Sequence, residues 1–178
     1  MASRYVSPLE SLFWPNGFSR DMWMILDGAR DPRVYSSLIH SYSEYSCLYA
    51  GNLAPALERA APYLVQLEFE DRYTRILLEQ AWGNSWGIIL KCNESIDVVR
   101  RHLRKFLRVI GRNGRPMVFR YYDPRVMRVY LPTCNREELR EIFGPIKAFY
   151  MEDPDPATIW DCRLDTGKLS IAKLPLAL

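Results

Sequence analysis

At 178 residues, 48% hydrophobic and 25% charged, the chain is sized for one domain with a sizeable core and has the composition of a soluble globular protein. It holds no apolar run near the roughly 18 residues that span a membrane, and Met1 to Trp14 lack the basic-then-apolar order of a secretory signal, so the expected compartment is the cytoplasm and no membrane is expected as a partner. A net charge of +3 is too small to imply nucleic acid by itself.

Residues 1–20 hold Tyr5, Leu9, Leu12, Phe13 and Trp14 without a clean period. They form an arm that either covers the edge of the core or docks a partner, with Phe13 and Trp14 as the contact candidates. The core domain is expected over residues 21–152. Its first strand is Trp23-Met24-Ile25-Leu26, ending at Asp27-Gly28. Asp31-Pro32-Arg33 then opens a helix near Val34–Tyr42. The aspartate accepts from unpaired N–H groups at the N-cap, and proline at the first helical position sacrifices no hydrogen bond. A strand at Tyr63-Leu64-Val65, a helix over Tyr73–Trp82 and a strand from Trp86 to Leu90 follow.

The clearest helix is Ser95–Arg108. At about 100° per residue, Ile96, Val99, Leu103, Phe106, Leu107 and Ile110 share one arc. Arg101, Arg104, Lys105 and Arg108 share another and are expected to face solvent. Ser95 is the expected cap, and Gly111 with Asn113-Gly114 ends the segment. Met117-Val118-Phe119 reads as a buried strand in a run reaching Tyr122 that includes Arg120. Asp123-Pro124-Arg125 repeats the aspartate-proline joint. Asn135 and Glu138 form a capping box for a helix over Arg136–Phe143, stopped by Gly144-Pro145. Ile146 to Met151 is a further strand. Residues 153–178 are read as a C-terminal loop and tail packed on the core or a partner. Asp153 to Asp165, opening with Asp-Pro-Asp-Pro, is the loop, and Leu169 to Leu178 is either a last edge strand or a contact surface. The strand-helix alternation predicts an α/β fold, a mixed or mostly parallel sheet flanked by helices in a single domain.

Cys47, Cys92, Cys134 and Cys162 lie far apart, and His40 and His102 add no metal-ligand spacing. No metal, cofactor or disulfide is expected. Asp27 and Asp123 follow strands, where ligands bind in open α/β sheets. With His102 they would supply the acid-base groups of a small hydrolase. Against this, Asp123 reads locally as a cap and Asp27-Gly28 as a turn, and no nucleophile elbow, phosphate loop or zinc-protease motif appears, so no small-molecule substrate is indicated. Arg120, in a half-buried run, needs a carboxylate, either Asp27 or Asp123. Arg100, Arg101, Arg104, Lys105, Arg108, Arg112 and Arg115 form a basic cluster with no acidic residue between them. Acidic residues gather at Glu68-Glu70-Asp71, Glu137-Glu138-Glu141 and Glu152-Asp153-Asp155. Such a bipolar surface suits protein partners better than a polyanion. A nucleic-acid module using the basic helix face is the alternative.

Taken in order, Leu26-Asp27-Gly28-Ala29-Arg30, Ala61-Pro62-Tyr63-Leu64-Val65, Trp86-Gly87-Ile88, His102-Leu103-Arg104, Phe119-Arg120-Tyr121-Tyr122-Asp123-Pro124-Arg125-Val126 and Phe143-Gly144-Pro145 resemble the adaptor or chaperone family of type VI secretion systems (Tap, also called TEC; domain of unknown function 4123). The resemblance covers roughly residues 22–152, and the string from Phe119 to Arg125 is its most specific part. It implies a cytoplasmic, non-enzymatic protein without cofactor that binds a cognate toxic effector and promotes its loading onto the VgrG spike. Many relatives are longer, with an added helical C-terminal lobe, so the chain resembles the core lobe alone. On the reading of the residues themselves, Asp27, Arg120, Asp123, Pro124 and Arg125 are the structural motif, and Arg101, Arg104, Lys105, Arg108, Phe13 and Trp14 the candidate partner contacts.

Overall fold

The apolar runs become strands whose two faces are both covered. In the computed structural model, which describes residues 6–111 and 113–176, β1 (Met22–Asp27), β2 (Tyr45–Cys47), β3 (Pro62–Leu67), β4 (Gly87–Lys91), β7 (Ala148–Glu152), β8 (Thr158–Asp165) and β9 (Lys168–Pro175) form one sheet in the order β2-β3-β1-β4-β7-β8-β9. Tyr5, Arg112 and Leu178, named above, lie outside the described residues. A separate ribbon pairs β5 (Arg108–Ile110) with β6 (Pro116–Val118).

Successive side chains of β1 point to opposite faces. Met22, Met24 and Leu26 pack with Leu9 and Phe13 of α1 (Val6–Phe13), Val34 and Leu38 of α2 (Pro32–Leu38), and Leu77 and Leu78 of α4 (Arg72–Ala81). Trp23 and Ile25 pack with Val99 and Leu103 of α5 (Ile96–Arg104), Met127 of α6 (Pro124–Tyr130), and Leu139, Ile142 and Phe143 of α7 (Arg136–Phe143). The result is three layers, helices on both faces of one sheet. A short exposed helix, α3 (Pro55–Arg59), joins β2 to β3.

The sheet corrects one expectation. Every neighbouring pair is antiparallel, not parallel. Continuous apolar runs report that both faces are buried, and parallel sheets show them for that reason; they do not report strand direction. The alternation arises because α4 carries the chain from β3 over β1 to β4, which flank β1 on opposite sides.

Other departures have local causes. Past Arg104 the backbone tightens into three-residue bonds, Lys105 N to His102 O at 3.2 Å and Phe106 N to Leu103 O at 3.2 Å. Helix α5 therefore stops before Arg108, which begins β5. Ile110, placed on the core arc by helical period, is 73% exposed, and Met117 and Val118 stand in the exposed ribbon rather than in a buried strand. Ser95 makes no side-chain cap bond. Asp31 and Asp123 are N-caps followed by proline, accepting from the amides of Arg33 at 2.8 Å and Arg125 at 2.9 Å. The capping box closes both ways, Glu138 N to Asn135 Oδ1 at 2.9 Å and Asn135 N to Glu138 Oε2 at 2.8 Å. The loop after Asp153 ends at Thr158, where β8 begins, and the tail is the edge strand β9.

Candidate functional site

Three carboxylates gather where β1, β7 and the entry to β4 meet at one end of the sheet. Asp27 is the last residue of β1, and its amide donates to Trp86 O at 2.7 Å. Its side chain, 1% exposed, accepts from Ala29 N at 3.1 Å, which bends the chain into the Gly28 turn. Its other oxygen receives Nη2 of Arg120. Gly28 is required there, since a Cβ would sit 2.5 Å from the carbonyl oxygens of both Ala61 and Arg59.

Arg120 reaches Asp27 from outside a strand. β6 ends at Val118, and the segment to Asp123 turns Tyr121 and Tyr122 inward, with Tyr121 Oη donating to Leu103 O at 3.0 Å. Arg120 is left at the rim with its side chain 42% exposed, half-buried rather than enclosed. Asp123, two residues after Tyr121, is 3% exposed and takes the guanidinium of Arg125 on both oxygens, Nε at 3.0 Å and Nη2 at 2.6 Å. Burial alone pushes this carboxyl up. The bonds from Arg125 and the nearby Arg120 charge outweigh it, and the group titrates below its ordinary value. Glu152, at the end of β7, accepts from Gly83 N at 2.6 Å and from Ser85 N and Oγ, both at 2.9 Å. Burial holds its carboxyl above the ordinary value in spite of those bonds. Arg128 of α6 donates to its carbonyl oxygen.

Each carboxylate is thus engaged by donors of its own chain. The bonds tie β1, the 119–125 segment, α6 and β7 into one corner, and Pro124 lets α6 begin there with no amide to satisfy. The structure brings Asp27, Arg120, Asp123, Pro124 and Arg125 together, and of the two carboxylates open to Arg120 it is Asp27 that receives it. Glu152, counted from the sequence in an acidic surface cluster, is instead buried at 6% exposed, and Arg128 joins the corner by donating to the Glu152 carbonyl oxygen. The signal for Glu152 was available, since it ends an apolar strand with an acidic side chain as Asp27 does.

His102 belongs elsewhere. Its Nε2 pairs with Ile142 O at 2.9 Å, its ring packs edge-on to Phe106 at 5.2 Å, and burial lowers its pKa. No hydrogen bond joins it to Asp27 or Asp123, so the acid-base set named from the sequence is not assembled among the described residues. No three His, Cys, Asp or Glu side chains among them are grouped to hold a metal ion.

The basic face divides. Arg101 is exposed on α5, Lys105 just past its end, and Arg108 on β5. Arg104 turns inward, donating Nε to Leu48 O at 2.9 Å and Nη2 to Cys47 O at 3.2 Å and Tyr49 O at 2.8 Å. It clasps the end of β2 and is not free for a partner. Phe13 and Trp14, at 2% and 3% exposed, lie in the core. They cover it, and contact by either would require α1 to leave.

The corner and the helices above and below it define an antiparallel three-layer α/β domain. Residues 22–141 match the family model described as a domain of unknown function, DUF4123, and the chain belongs to that family. The matched stretch contains Asp27, Arg120, Asp123 and Arg125. Comparison with curated proteins and with solved structures gives no match. Among the described residues, no helix is long and apolar enough to cross a membrane.

Proposed function

We propose that this chain is a non-catalytic adaptor-chaperone of a type VI secretion system, which binds one cognate toxic effector in the cytoplasm and promotes its loading onto the VgrG spike. The observation that carries the reading is the family match over residues 22–141, which encloses the string from Phe119 to Val126. The geometry agrees with it in one respect. The acidic groups at the strand ends are committed to internal arginines and amides, whereas Ile110, Met117 and Val118 are open to contact.

The mechanism is stabilisation by selective binding. A protein that binds the folded effector raises its stability by mass action. A second contact with the spike raises the local concentration of effector at the tip. No cofactor, nucleic acid, membrane or small-molecule substrate takes part. The test is co-expression of the chain with a candidate toxin from the same genome, followed by affinity capture and by measuring secretion from a strain lacking the chain. Capture of that toxin and loss of its secretion alone are expected. Normal toxin levels and normal secretion without the chain would refute the proposal.

A further inference from the structure

The β5–β6 ribbon stands off the main sheet and is apolar on both faces. Paired residues point the same way, so Arg108, Val118, Ile110 and Pro116 share one face and Val109 and Met117 the other. Val109 is 39%, Ile110 73%, Met117 52% and Val118 57% exposed. A lone two-stranded ribbon is marginal in water, and a contiguous apolar patch of this kind marks an interaction surface.

Beneath the first face lies a groove of about 510 Å³, bounded by Leu48, Leu53 and Leu57 on one side and by Leu107, Arg108 and Val118 on the other. Its volume falls in the range of ligand-sized clefts. Arg104 also borders it, but its guanidinium is spent on the carbonyls of residues 47–49. The free cations are Arg108, Arg101 and Lys105 on the adjoining helix end, and Arg115 beyond the ribbon, all exposed. None of the four forms a salt bridge among the described residues, and no acidic side chain lines the groove. Of the other open apolar patches, the one around Tyr42 and Ile76 has Glu68 and Asp71 beside Arg72 in its lining, and the one around Tyr35 and Ile39 has Arg59 as its charged lining residue.

We infer that the groove under the β5–β6 ribbon receives an acidic amphipathic segment of the effector, its apolar side chains on Leu53, Leu57 and Val118 and its carboxylates facing Arg108 and the neighbouring cations. Charge complementarity selects this occupant, and the inference rests on the adaptor reading. The experiment titrates the chain with the purified, inactivated candidate toxin. Val118→Asp, Leu57→Asp and Arg108→Glu are compared with Tyr42→Asp as a control. All four positions are exposed, and unchanged melting temperatures establish folding.

The groove variants are expected to weaken binding by about thirtyfold or more, Arg108→Glu with a shallower salt dependence, while Tyr42→Asp binds as wild type. Full affinity in the groove variants, or loss only with Tyr42→Asp, overturns the inference and leaves the adaptor reading intact. A wild-type dimer dispersed by Val118→Asp makes a second copy the occupant, and oligonucleotide binding abolished by Arg108→Glu makes it nucleic acid; either overturns it. Failure of the wild type to bind the toxin overturns the adaptor reading, and the groove's proposed occupant with it.

Discussion

Replacing Arg120 by alanine removes the guanidinium from Asp27 and leaves a carboxylate 1% exposed with one remaining donor, the Ala29 amide at 3.1 Å. Breaking a fully buried ion pair from one side costs about 3–5 kcal/mol. Here the arginine side chain is 42% exposed, so water already screens the pair and can follow the vacated guanidinium inward. That reduces the expected loss to about 2 kcal/mol, or about 4–8 °C in melting temperature for a chain of this size. Asp27→Ala should cost less, about 1 kcal/mol, because Arg120 can turn to solvent and only the Ala29 amide loses its acceptor. The double variant should recover about 1–2 kcal/mol relative to the sum of the single losses. Guanidinium chloride unfolding at neutral pH, with unchanged m-values, measures all three. An Arg120→Ala loss below about 0.5 kcal/mol, or a larger loss for Asp27→Ala than for Arg120→Ala, would show that the pair does not hold the corner.

The two aspartate caps separate by burial: Asp31→Ala should cost about 1 kcal/mol and Asp123→Ala about 2 kcal/mol by the same unfolding assay. Because the folded Asp123 carboxyl titrates below its ordinary value, its contribution is complete above the unfolded pKa and is lost as pH falls through the folded one. The gap between wild type and Asp123→Ala should therefore narrow below about pH 4. Arg104→Ala should cost about 1–2 kcal/mol through the three carbonyls it leaves and speed hydrogen exchange around β2, whereas Arg101→Ala should leave stability unchanged. Gly144, at φ +47°, would place a Cβ 2.3 Å from His102 Cε1, so Gly144→Ala should lose about 2–3 kcal/mol, part of it regained when His102→Ala is added, as a thermal melt of both variants can check.

Local chemistry was the most legible layer of the sequence. Asp31-Pro32 and Asp123-Pro124 cap their helices because the needed atoms lie within two residues, and Asn135 with Glu138 closes its box because they lie within three. The Asp27–Arg120 pair could be narrowed to two partners, because a guanidinium in an apolar run must find a carboxylate. What the sequence hid was direction and partition. The runs at 22–27 and 62–67 read alike whether their strands are parallel or antiparallel, since only the coverage of their faces is written in them. Helical period carried the Ser95–Arg108 arc past its end, because β-branched Val109 and Ile110 fit that arc as well as they fit a strand. Arg104 looked like its neighbour Arg101, and nothing nearby in the chain reveals that residues 47–49 pass beside it. In α1 the buried Val6, Leu9 and Phe13 keep helical spacing, but Leu12 within the helix and Trp14 just past it blur the pattern, so core and contact could not be told apart.

The interior position of β1, between β3 and β4, also sets an order of assembly. It leaves the ribosome before every other strand of the sheet, yet Met22 must wait for Leu67 on one side and Lys91 on the other, and the Asp27–Arg120 bond spans 93 residues. Until β7 is made, the outer edge of β4 has no neighbour. Long-range pairing of this kind is slow and leaves strand edges open meanwhile. The groove is built across the same divide, with one wall from residues 48–57 and the other from residues 107–118. A nascent chain interrupted before Val118 therefore has neither a closed corner nor a complete groove, and only a copy translated past that point can engage a partner there.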